Sequence, residues 1–198
     1  MMRAWQNGAR DMNGGTRMMK KILTVLLAAM LLCAAACCVA ESETIYLADV
    51  GENCEAVLVV ENPVSVSFLN DEVATGFVYA KVSREGLADV HIVIAKSEVA
   101  EGLSLADLGE EGMNVLKELV GEQYENPIIE EKTSPSGNLF IEVCSNEEES
   151  EIDSMLTIFE GYIITMDVYR EDFSKLSEAD KAFGEEMLYA LWFNRTNE

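Results

Sequence analysis

Several stretches of this chain alternate apolar and polar residues with a period of two, the pattern of a strand with one face in a core. Val64, Val66 and Phe68 share a side. Val78, Ala80 and Val82 stand opposite Phe77, Tyr79 and Lys81. Val90, Ile92 and Ile94 form a third set, and Tyr162, Ile164, Met166 and Val168 a fourth. Gly-bearing connections separate the runs: Ser83-Arg84-Glu85-Gly86 joins Gly76–Val82 to Leu87–Ala95, and Glu160-Gly161 joins Ser154–Phe159 to Tyr162–Tyr169. Loops of that kind connect antiparallel strands. Thr44–Val50, Cys54–Val60, the region opened by Pro127-Ile128-Ile129, and Leu139–Cys144 supply further strands, the last two separated by the turn cluster Thr133–Asn138.

Two segments carry helical spacing instead. Ser104-Leu105-Ala106-Asp107 has the form of a capping box, and Leu105, Leu108, Met113, Leu116, Leu119 and Val120 make an apolar stripe behind it. Gly109 and Gly112 weaken this helix by up to ~1 kcal/mol each relative to Ala. Ser177-Glu178-Ala179-Asp180 repeats the capping form. The helix it opens is predicted to run through Leu191 and Trp192, with Asn194–Glu198 frayed, and Asn146–Asp153 is expected to be an acidic loop. The architecture expected is α+β: one antiparallel β-sheet with a mid-chain helix and a C-terminal helix packed on it.

The N-terminal part reads differently. Lys20-Lys21, the apolar run Ile22–Leu32 and the small-residue run Cys33–Ala40 together have the form of a secretory signal peptide. Residues 18–40 are therefore expected to be a signal peptide, 1–17 an upstream extension, and 41–198 a single α+β domain. Cys38-Val39-Ala40 suits ordinary cleavage after Ala40. Ala34-Ala35-Ala36-Cys37 resembles a lipobox, with Ala34 where Leu is usual, and would leave Cys37 lipidated. Both routes imply an exported protein, extracellular or held at the membrane through the leader or a lipid anchor.

Composition narrows the partners. The whole chain has 14 basic and 36 acidic residues, net −22. Removing 1–40 takes away five of the bases and one acid, so the domain carries a net charge of −26. Nucleic acid is excluded, since phosphate neutralisation requires a Lys/Arg surface. An acidic surface instead steers towards a basic protein or other cationic partner.

Cys54 and Cys144 are the cysteines outside the leader. In an exported protein they could pair as a disulfide, or stay as two separate thiols packed in strands. His91, the single histidine, falls on the strand face opposite Val90, Ile92 and Ile94. It reads as an exposed or half-buried strand residue, because a base or metal ligand needs partners that sequence does not supply. The run Glu147–Asp153 reads as a solvated loop; as a Ca²⁺ site it lacks the alternating ligand frame. Trp192 reads as helix core, and Asn194-Arg195-Thr196 matches a glycosylation pattern. There is no G-x-S-x-G elbow, and no motif points to a catalytic residue, a metal or a cofactor.

The order of elements resembles the Mog1/PsbP-like superfamily, including its exported bacterial lipoproteins. The resemblance rests on the Ser104-Leu105 helix start, the hairpin at Pro135–Asn138, the Gly161-Tyr162 step and the Ser177-capped final helix, and spans about residues 44–193. It implies an antiparallel sheet with packed helices and an accessory or binding role, and it transfers no catalytic residue. Two functions follow as expectations: a non-enzymatic accessory or binding protein of the cell envelope, or an extracytoplasmic hydrolase using acidic residues. A pocket with two converging buried carboxylates would favour the hydrolase, and a smooth sheet face the binding module.

Overall fold

A computed structural model describes residues 42–69, 77–124, 126–146 and 151–195. The leader readings, with Cys37, lie outside the described residues, as do Glu147–Ser150 and Thr196. From Ser42 onward the α+β class is as expected. The sheet, however, is two sheets. Strands β1 (Glu43–Asp49), β2 (Cys54–Val60) and β10 (Leu191–Arg195) make a small one, with β2 in the middle. Strands β3 (Ser65–Phe68), β4 (Phe77–Ser83), β5 (Asp89–Lys96), β6 (Ile128–Thr133), β7 (Leu139–Asn146), β8 (Glu151–Phe159) and β9 (Tyr162–Tyr169) make a larger one, in the order β3-β4-β5-β9-β8-β7-β6. Every pairing is antiparallel.

The alternation dictates which face is buried. Ala80, Ile92, Met166 and Met155 line up across β4, β5, β9 and β8. All are buried, and they pack with Leu47, Ala56 and Leu58 from the small sheet. The final helix, α2 (Glu178–Ala190), contributes Phe183, Met187 and Leu188 to the same core. A Cβ on Gly184 would stand 2.6 Å from Val168 Cγ2, so the absence of a side chain there lets α2 lie close on β9.

Helix α1 (Gly109–Gly121) covers the opposite face of the large sheet, but only part of it. With the short turn Leu105–Leu108 it buries Leu105 and Met113 against Ile141 and Val143 of β7, with Ile129 and Ile158 packed alongside. Gly109 at φ 63° separates that turn from the helix. Leu119, expected in the stripe, is 55% exposed.

Helix α2 ends at Ala190, and Leu191 turns into β10. Trp192 is therefore an outward strand residue, 39% exposed, and Asn194 and Arg195 pair with Glu55 and Cys54. Helical spacing of Leu188, Leu191 and Trp192 is compatible with either state over so short a stretch, and an open edge on β2 decides it. Likewise, β7 and β8 extend into the expected acidic loop: Glu151 and Asp153 are strand residues, 7% and 5% exposed.

Candidate functional site

Beyond the part of the large sheet that α1 packs on, the outward residues of β4, β5 and β9 gather rings. Strand pairing sets His91 between Lys81 and Asp167. Tyr79 Oη lies 2.8 Å from His91 Nδ1, at hydrogen-bonding distance. The imidazole stacks on Tyr169 at 4.4 Å between centroids and 9° between planes, and Tyr169 stacks in turn on Phe173 at 5.2 Å and 8°. The stack runs outward: His91 is 8% exposed, Tyr169 half-buried, Phe173 49% exposed. His91 is thus a buried member of an aromatic row, not the exposed or half-buried strand residue expected.

The protonation of this row follows from its setting. Burial pushes the His91 imidazole below its ordinary value, against the pull of Asp89 and Asp167. Burial also pushes the Asp167 carboxyl up, while the Ser154 hydroxyl, donating to Asp167 Oδ1 at 2.5 Å, works the other way. Tyr169 is raised to about 12 by burial, then by its hydrogen bond to Tyr79 and the nearby carboxylates. At neutral pH the His91 and Tyr169 rings are therefore uncharged. Beside them, Lys81 bridges Asp89 at 2.7 Å and reaches Glu171 at 3.6 Å.

Phe173 is held at φ 56°. That left-handed conformation is an outlier for a bulky side chain and costs ~1–2 kcal/mol. The turn that imposes it is closed by the Phe173 N–H donating to the Arg170 carbonyl at 2.8 Å and the Ser174 N–H donating to Asp172 Oδ1 at 3.0 Å. Arg170 is clamped in turn: its Nε and Nη2 donate to Asp180 Oδ2 at 3.1 and 2.7 Å. Asp180, at the start of α2, also accepts from the N–H groups of Ala88 and Ser177 and from the Ser177 hydroxyl. A chain of contacts from the core thus fixes an exposed aromatic ring.

A second cluster lies on the other face of the same sheet. Glu142 and Cys144 of β7 and Asp153 of β8 bring one ligand-type atom each to within 4.8 Å of the others. Lys132 Nζ sits 2.6 Å from Glu142, Lys181 Nζ 2.8 Å from Glu151, and the Cys144 thiol donates to Asp153 Oδ1 at 3.3 Å. Burial, then repulsion by Glu142, raises Asp153 to about 6. Burial and the adjacent Asp153 raise the Cys144 thiol to about 12. Cys54 is a buried free thiol on β2, in the other sheet, so the two cysteines that sequence could have bridged stand apart as free thiols. Of the residues singled out in sequence, Cys144 and Asp153 come together and His91 lies on the opposite face. Tyr79, Tyr169, Phe173 and Glu142 carried no sequence signal beyond strand alternation.

No family model matches this chain, and no curated protein matches it either. Among solved structures it is similar to the solution structure of cyanobacterial PsbP (CyanoP) from Synechocystis sp. PCC 6803. The identity is 15%, 79% of this chain and 96% of that chain are covered, and the TM-score is 0.44. Agreement at that level carries no functional weight.

Proposed function

We propose that this chain is an exported, non-enzymatic accessory or binding protein of the cell envelope, acting on a protein or other cationic partner. The observation that supports it most is the row from His91 to Phe173, ending in an exposed ring on strained backbone. Strain of this kind persists where surrounding contacts over-determine it, and it concentrates at ligand clamps and other functional positions. Export rests on the leader pattern at 18–40, by cleavage after Ala40 or lipidation at Cys37. The test is cross-linking in the native envelope with a photoreactive group at Phe173 or, as control, at Val115 on the exposed side of α1. A specific adduct from position 173 alone supports the reading; equal or absent adducts overturn it.

The hydrolase reading has one observation in its favour, the converging Glu142 and Asp153 with Asp153 raised to about 6. A carboxyl poised there is the form a general acid takes. Against it, Glu142 is 7% exposed, Asp153 5%, and Lys132 is seated on Glu142. Hydrolysis of a glycan or peptide substrate that disappears in both Glu142→Gln and Asp153→Asn, with the fold retained, would favour this reading over the first.

A further inference from the structure

The binding face has a chemistry that narrows its partner. Its outermost ring, Phe173, is 49% exposed and stacked on Tyr169. Two carboxylates precede it in sequence. Glu171 has an 87% exposed side chain, and Asp172 is held below the ordinary carboxyl range by the Ser174 hydroxyl and N–H. Lys81 is held by Asp89 at 2.7 Å and reaches Glu171 more loosely, at 3.6 Å. An exposed aromatic ring next in sequence to two exposed carboxylates, on a chain of net charge −22, complements a planar cation. Guanidinium meets all three demands: it stacks flat on a ring, forks onto carboxylates and sheds water more readily than ammonium. We infer that the Tyr169–Phe173 step with Glu171 and Asp172 receives an arginine side chain of a polypeptide partner. This rests on the reading of the His91–Phe173 row as a binding face, and adds which group that face takes.

Lysine, a neutral polar side chain, and a second copy of this chain are the competing occupants. The purified protein is titrated with blocked Gly-Arg-Gly, Gly-Lys-Gly and Gly-Gln-Gly peptides at low salt, and the ring resonances of Phe173 and Tyr169 are followed by NMR. The arginine peptide should shift both rings and bind about 2- to 5-fold more tightly than the lysine peptide, the size of an exposed cation–π preference. Phe173→Leu, which keeps bulk but removes the π-face, should abolish that preference. Glu171→Gln should weaken the arginine peptide about 2-fold and flatten its salt dependence. Equal shifts from all three peptides, an unchanged preference in Phe173→Leu, or ring shifts that follow protein concentration alone would overturn the inference. A specific envelope adduct from position 173 without arginine preference would overturn it while leaving the binding face standing. Absence of both would remove the face as well.

Discussion

Asp180 and Asp153 are both almost wholly out of water, at 0% and 5% exposure, yet the fold holds their protons in opposite ways. Burial pushes both carboxyls up. Around Asp180 the Ser177 hydroxyl, the N–H groups of Ser177 and Ala88, and the Arg170 guanidinium overcome it and bring the group to about 2. Around Asp153 a thiol is the side-chain donor among the described residues, Glu142 adds repulsion, and Lys132 and Lys181 are committed to other carboxylates, so the group rises to about 6. What separates the two regions is the number of donors aimed at each oxygen pair, not depth. The first is a structural clamp; the second stores unfavourable charge.

The largest effect expected is from Asp180→Ala. It leaves Arg170 and the Ala88 N–H without their acceptor, and breaking a buried pair of this kind costs ~3–5 kcal/mol. Chemical denaturation would read it, and a loss below about 1 kcal/mol, the range of exposed pairs, would contradict the clamp.

Asp153→Asn has the opposite sign. It removes a charge that the fold disfavours, and should stabilise by about 1–3 kcal/mol at pH 7.5 with little change near pH 4. The pH dependence sharpens the contrast. Asp153 has a folded value above the unfolded one of about 3.9, so its contribution is present below that pH and is lost as pH rises through about 6. Asp180 lies below the unfolded value, so its contribution is present above about pH 3.9 and is lost as pH falls towards 2. Wild type should lose stability between pH 4.5 and 7.5 relative to Asp153→Asn, measured side by side by thermal unfolding. Parallel curves would break the comparison.

The smallest effect concerns the thiols. With Cys144 raised to about 12 and Cys54 buried, alkylation by iodoacetamide at pH 8 should be at least ~100-fold slower in the native protein than in urea. Adding reductant should change nothing, since neither thiol is bonded. Fast native labelling of Cys144 would show that its site is open to water.

The alternation of Val90, Ile92 and Ile94 and of Ile164, Met166 and Val168 was enough to read the inner face of the large sheet. Ser177 was enough to start α2, because capping is local. What could not be read depends on neighbours far along the chain. Leu191–Arg195 is a strand because β2 offers it an edge. Asp153 is buried because β7 and β9 flank β8, whereas composition around Glu147–Glu151 suggests a loop. The aromatic row was equally hidden: Tyr79, His91 and Tyr169 are spread over three strands, and only their register brings the rings together.

The central place of β2 has a consequence for the order in which the domain is built. Leu58 has Ile45 on one side and Leu191 on the other. A chain delivered N-terminus first, from a ribosome or through a pore, holds β1 and β2 as a two-strand ribbon while everything between is still arriving. Such a ribbon is marginal in water, and contacts of this sequence separation are slow to form. The small sheet is therefore completed only when β10, the last of its three strands in the chain, has emerged, and until then Leu58, Ala56 and the core they cap stay accessible to chaperones and proteases.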